Sequence, residues 1–156
     1  MNSTKKEINY YEDFKVDQIY EHWPCKTITE SDNNIFCLLT MNHHPVHSDI
    51  VYAKNAKHGK ILVVGTYVLS LVVGMTVNDI SIGAVANLGY KNINHLNPTY
   101  IGDTLRAESL IVAKKIKNNA IVGVVSVKTK AFNQDDIIVL ELERDILIPI
   151  NKKIKL

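Results

Sequence analysis

Cysteine is scarce in this sequence. Only Cys25 and Cys37 occur, in no C-x-x-C spacing, so neither a disulfide framework nor a cysteine zinc site is indicated, and a reducing compartment fits. Charge of one sign is also lacking. The net charge is +2 and the lysines are scattered without stacking aromatics, which leaves nucleic acid no electrostatic footprint. The opening MNSTKKEINYYEDF has no apolar run of the kind a signal peptide needs, so the expectation is a cytoplasmic protein. No Pro-, Gly- or Ser-rich linker, repeat or low-complexity tract divides the chain. Its 156 residues are expected to form one domain, 1–156, with 1–10 and 151–156 as frayed tails. At 46% hydrophobic and 22% charged, the composition is that of a globular protein and excludes disorder.

Long uncharged runs are few, and the one at residues 61–77, ILVVGTYVLSLVVGMTV, has to be weighed as a membrane span. It is at the lower length limit. Gly65 and Gly74 and the hydroxyls of Thr66, Tyr67, Ser70 and Thr76 interrupt it, and strand-rich sequence follows. The reading is a buried core helix and no membrane partner.

Thr29 and Asp32 make a [ST]-x-x-[DE] pattern, which predicts an N-capped helix over 30–41 with Ile35, Phe36, Leu38 and Leu39 on its apolar face. A short strand is expected before it, near 25–29. Pro45 ends the helix pattern, and Ser48-Asp49 open a short helix to Ala56. The apolar helix is expected over 65–78. From Ala84 the period changes from helical to alternating. Strands are predicted over 85–93, 104–116, 120–133 and 137–150, with turns at Asn118-Asn119 and over 133–136. One apolar helix followed by long antiparallel strands implies an α+β architecture, an antiparallel sheet wrapped around one long central helix.

The bend Asn42-His43-His44-Pro45-Val46-His47-Ser48-Asp49 holds three imidazoles between two helices. Four readings compete for it. A metal site is disfavoured because no Glu is present and Pro45 breaks the helical turn that an H-E-x-x-H site requires. His43 and His44 read more simply as solvated loop residues. A Ser or Cys nucleophile lacks the G-x-S-x-G elbow and a His partner in sequence. General acid/base work by His47 remains, since imidazole titrates near neutral pH.

The span FCLLTMNHHPVHSD, residues 36–49, resembles the hydratase signature of MaoC-like enzymes, in which an acidic residue precedes a catalytic His by five positions. Here those positions hold Asn42 and His47. GKILVVGTYVLSLVVG, 59–74, resembles the family's central-helix entry, and NPTYIGDTLRAE, 97–108, its entry into the next long strand. The resemblance spans about residues 11–148 and implies a hot-dog fold, an acyl-CoA thioester substrate, no separate cofactor or metal, and a homodimer or assembly of dimers. It implies catalytic roles for His47, Asn42 and Gly65, and a substrate-binding role for Ser70, Val64 and Pro45. Asn42 departs from the family's carboxylate and cannot exchange a proton near neutral pH. The LLTMN, P-x-H-x-D and NLGY strings look most like a branch with Asn at that position, typified by hydratases of mesaconyl-CoA and related branched dicarboxylic acyl-CoAs.

The activity implied is hydration or dehydration across the α,β bond of an enoyl-CoA. His47 would activate water, Asn42 would orient it, and the Gly65 N–H would polarise the thioester carbonyl. Two alternatives stay open. One is a hot-dog thioesterase using a carboxylate such as Glu30, Asp32 or Asp49; the other is an acyl-CoA-binding subunit that has lost its acid. Lys54, Lys57 and Lys60 follow the His motif and are left unassigned.

Overall fold

The computed structural model describes residues 8–117 and 121–151. Five antiparallel strands, β1 (Ile19–Thr27), β2 (Ala86–His95), β3 (Thr104–Ile116), β4 (Val122–Phe132) and β5 (Ile138–Pro149), form one sheet in the order β1-β3-β4-β5-β2. The helices are α1 (Glu30–Thr40), α2 (Ile50–Asn55) and α3 (Gly65–Met75). The arrangement is the α+β, hot-dog fold that the resemblance implies.

Strict alternation builds the sheet. Every second residue of β4, and of β5 from Leu140 on, is buried, so Val125, Val127, Ala131, Leu140, Leu142, Ile146 and Ile148 line one face, with Val139 buried as well. Val68 and Val72 of α3 pack against that face, each contributing about 1.5–3 kcal/mol through burial. A second cluster around Phe14, Ile80, Ile111 and Ile146 closes the other end of the core. Residues 8–10, grouped with the frayed N-terminus in the sequence reading, are tied down there: the Asn9 amide donates to the Asp79 carbonyl at 2.7 Å.

Several expectations need correction. The first strand begins at Ile19 and ends at Thr27, because it pairs along β3 from Ile19↔Leu110 to Thr27↔Thr104, a partner that local sequence does not reveal. On α1 the buried positions are Asn33 and Cys37, whereas Ile35, Leu38 and Leu39 are exposed. The α-helical part of α3 stops at Met75; a π-helical turn, Val77–Ser81, takes over. Asp79 pins that turn by accepting from His22 Nδ1 at 2.9 Å, while His22 Nε2 bonds Ser109 Oγ at 2.8 Å and Ser109 bonds Thr129 at 2.7 Å. The Asn118-Asn119 turn lies outside the described residues, whereas the 133–136 turn is present, with Asn133 Oδ1 accepting from Asp135 and Ile137 at 3.0 Å.

The sheet does not enclose α3 on all sides. Thr66, Ser70 and Gly74, on the face away from the strands, are exposed. All ten residues of β2, an edge strand, are exposed too. At the far end of α3 the Arg144 side chain is 1% exposed and reaches the C-capping Thr76 with a 2.5 Å hydrogen bond. Burial pushes its pKa down, and its Nε has no hydrogen-bond partner among the described residues. No helix among the described residues is long and apolar enough to cross a membrane.

Candidate active site

The bend after α1 is held by its own polar side chains. Met41 ends the helix in the left-handed region, φ 57°, and the Asn42 N–H returns to the Cys37 carbonyl. Asn42 Oδ1 accepts from the His44 N–H at 3.3 Å, and His44 Nδ1 accepts from the Val46 N–H at 3.2 Å. Pro45 opens a 3-10 turn, Pro45–His47, and Asp49 caps α2 by accepting from the Val51 and Tyr52 N–H groups, both at 2.9 Å. These local bonds fix where His47 emerges.

His47 is half-buried, and its Nδ1 donates to the Leu62 carbonyl at 2.7 Å. That bond selects the tautomer with Nδ1–H and leaves the Nε2 lone pair available as a base. The His47 carbonyl accepts from Asn33 Nδ2 at 2.8 Å, and Asn33 Oδ1 accepts from the Val64 N–H at 3.1 Å. Asn33 is fully buried. One carboxamide therefore ties the His47 loop to the N-cap of α3.

His47 and Gly65 line the same cavity, about 110 Å³, together with Leu62, Val63, Val68, His95, Asn97, Pro98 and Thr99. Gly65 is the first residue of α3, and Val64 before it offers no side-chain cap, so the first N–H groups of the helix carry its positive end. A Cβ on Gly65 would come within 3.1 Å of His95 Nε2, so any larger residue there would have to push the imidazole aside by a few tenths of an ångström. His95 is exposed as a whole, yet desolvation of its ring at the cavity lowers its pKa from the ordinary 6.5. A larger cavity of about 520 Å³, lined by Lys54, Lys60 and Tyr100 among others, lies across the Leu62–Tyr100 bridge. In it the Lys60 ammonium sits 3.8 Å from the Tyr100 ring centre.

The other residues singled out in the sequence stand elsewhere. Val64 is buried at the N-cap behind the cavity. Pro45 and Asn42 do not line it, and the Asn42 side chain is engaged by the bend. Ser70 is exposed and donates to the Thr66 carbonyl at 2.8 Å within its own helix. Two residues that sequence reasoning missed are Asn33 and His95. The only signal for Asn33 was an amide one turn before Cys37, a spacing that marks a shared helix face.

The described residues hold no group of three or more His, Cys, Asp or Glu placed to bind a metal ion. A model of the MaoC-like domain matches residues 13–132. The chain belongs to the MaoC-like family. Among its MaoC-like relatives, mesaconyl-CoA hydratase of Cereibacter sphaeroides is 33% identical over 89% of this chain. Beta-methylmalyl-CoA dehydratase of Chloroflexus aurantiacus is 32% identical over 90%. The chain spans 40% of the length of both. A monoamine oxidase regulatory protein from Archaeoglobus superposes with a TM-score of 0.83 at 31% identity, covering 92% of this MaoC-like chain and 95% of its own.

Proposed function

We propose that this MaoC-like chain is a hydro-lyase that adds water to, or removes it from, the α,β bond of an enoyl-CoA. The observation that carries the reading is His47 with Nδ1 bound to the Leu62 carbonyl, in one cavity with the uncapped start of α3. In hydration, His47 Nε2 takes a proton from water as the water oxygen bonds to Cβ. The π electrons move toward the thioester oxygen, where the Gly65 N–H and the positive helix end stabilise the charge. His47 then returns the proton to Cα, so one water is added and the enzyme is unchanged.

Likeness to the two relatives favours a branched dicarboxylic substrate such as mesaconyl-CoA or, in the reverse direction, methylmalyl-CoA. Coenzyme A belongs to the substrate and no further cofactor is needed. Lys54 and Lys60 in the neighbouring cavity suit its phosphates. The site reaches the end of β2 at His95, and that strand's ten exposed residues suit pairing with a second copy, so the working form is read as a homodimer, with the cytoplasm as its compartment on the sequence reading alone. No Asp or Glu lines the 110 Å³ cavity, and Glu30 lines only the neighbouring one, away from the Gly65 N–H, which argues against a carboxylate-driven thioesterase.

The test is the absorbance of mesaconyl-CoA and crotonyl-CoA on mixing with protein, beside His47→Ala. Loss of the conjugated absorbance with wild type, reduced about 10²–10⁴-fold in the variant, is expected for removal of a general base. Binding without any absorbance change would sink the hydratase reading in favour of a binding subunit.

A further inference from the structure

His95 is the last residue of β2 and lines the cavity beside His47 and Gly65. Its ring lies against the start of α3: an atom placed where a Gly65 Cβ would be stands 3.1 Å from His95 Nε2 and 3.2 Å from Cε1. Neither ring nitrogen has a hydrogen-bond partner among the described residues. The backbone holds the ring in place, since His95 pairs with Leu140 of β5 and the next N–H, that of Leu96, donates to the Val139 carbonyl at 3.0 Å. Asn42, whose Oδ1 accepts from the His44 N–H in the bend, does not line the cavity, so a second donor there has to come from elsewhere.

We propose that His95 is a second catalytic group, donating from Nε2–H, beside the Gly65 N–H, to the oxygen of the substrate's thioester carbonyl. The inference rests on the hydratase reading and deepens it, for it concerns the same site. Two donors on one oxygen make an oxyanion hole, and charge reaches that oxygen only as water adds to Cβ. A neutral imidazole fills this role well, because it polarises the carbonyl and gives up no proton, so His47 alone carries the proton from water to Cα. Desolvation of the ring where it lies against α3 and the positive helix end both act to keep His95 neutral near pH 7, although the residue as a whole is exposed. Gly65 then has two duties, one as a backbone donor and one as the gap that lets the imidazole approach.

His95→Leu removes the donor at similar size, and His95→Gln keeps an N–H donor. The residue is exposed on an edge strand, and thermal unfolding of each variant checks that the fold persists. Expected for Leu is a fall of about 10²–10³ in kcat, the loss typical of one oxyanion donor, with KM changed by less than about threefold and partial rescue by Gln. An independent readout uses His47→Ala, in which slowed turnover should leave bound crotonyl-CoA long enough for its spectrum to be recorded. The bound enoyl thioester should absorb at longer wavelength than when free, and His47→Ala/His95→Leu should abolish that shift. A His95→Leu kcat within about twofold of wild type, or an unchanged red shift in the double variant, overturns the proposal. Lack of turnover by wild type would instead remove the hydratase reading, while the red shift still reports whether His95 touches the carbonyl.

Discussion

At the scale of single residues, the bend shows how a side chain can sit in a signature and still be turned away from the chemistry. Asn42 holds the signature position, yet its carboxamide oxygen serves the His44 N–H and it does not line the cavity. Replacing it with Ala should cost less than about tenfold in kcat, against about 10²–10⁴ for His47→Ala. Steady-state hydration assays of the two variants side by side check this, and a loss for Asn42→Ala equal to that for His47→Ala would return Asn42 to the reacting atoms. His47 was legible because its imidazole and its place in the motif are written locally. The role of His95 was not, since it exists only where β2 crosses the start of α3, a contact between segments 30 residues apart in sequence.

At the scale of elements, α1 acts through its two ends. Thr29 and Asp32 form the reciprocal capping box that the spacing predicted, with Asp32 Oδ2 accepting from the Thr29 N–H at 2.8 Å and from Lys26 at 2.6 Å. These bonds hold the Asp32 carboxyl at a pKa of about 2, below its ordinary 3.8, the Lys26 bond being the largest cause. A lowered folded-state pKa stabilises the fold above the unfolded value, and that contribution disappears as pH falls from 3.8 through 2. Asp32→Asn should therefore destabilise by about 1 kcal/mol at pH 7, an amount ordinary for a cap because the exposed Lys26 pair adds little. Urea titrations should show the gap closing between about pH 4 and pH 2. The buried end behaves differently: Asn33→Leu strands the His47 carbonyl and the Val64 N–H together, at about 1–3 kcal/mol each. A lower midpoint in denaturant and a lower kcat at unchanged His47 are expected. Apolar periodicity could not find this residue, because the pattern on α1 pointed to Ile35, Leu38 and Leu39, which are exposed.

At the scale of the molecule, the strands were readable nearly to the residue, since alternation is a property of the sheet's own pleat. β3 matches its expected span, and β4 and β5 differ by one or two residues at their ends. What alternation could not reveal was a cation inside: Arg144 occupies an inward position among Leu140, Leu142, Ile146 and Ile148. Nor could it tell an edge from the middle of the sheet. Leu88 and Tyr90 of β2 are 50% and 43% exposed, which for apolar residues on a free edge favours pairing. Leu88→Lys should shift the protein toward monomer in sedimentation velocity and lower activity with it; a fully active Leu88→Lys monomer would show that one chain suffices.

Arg144 gives the central helix a polarity that burial of apolar side chains would not. Its guanidinium stands at the Thr76 end, the helix's negative pole, and bonds the Thr76 hydroxyl, which in turn donates to the Val73 carbonyl, while the Gly65 end has neither a capping side chain nor a carboxylate in its cavity. One terminal of the dipole is earthed inside the protein and the other is left live at the cavity. In the proposed hydration a thioester oxygen gathering charge there would complete the circuit, and the field that would assist the step is in place beforehand and needs no rearrangement of the chain to switch on.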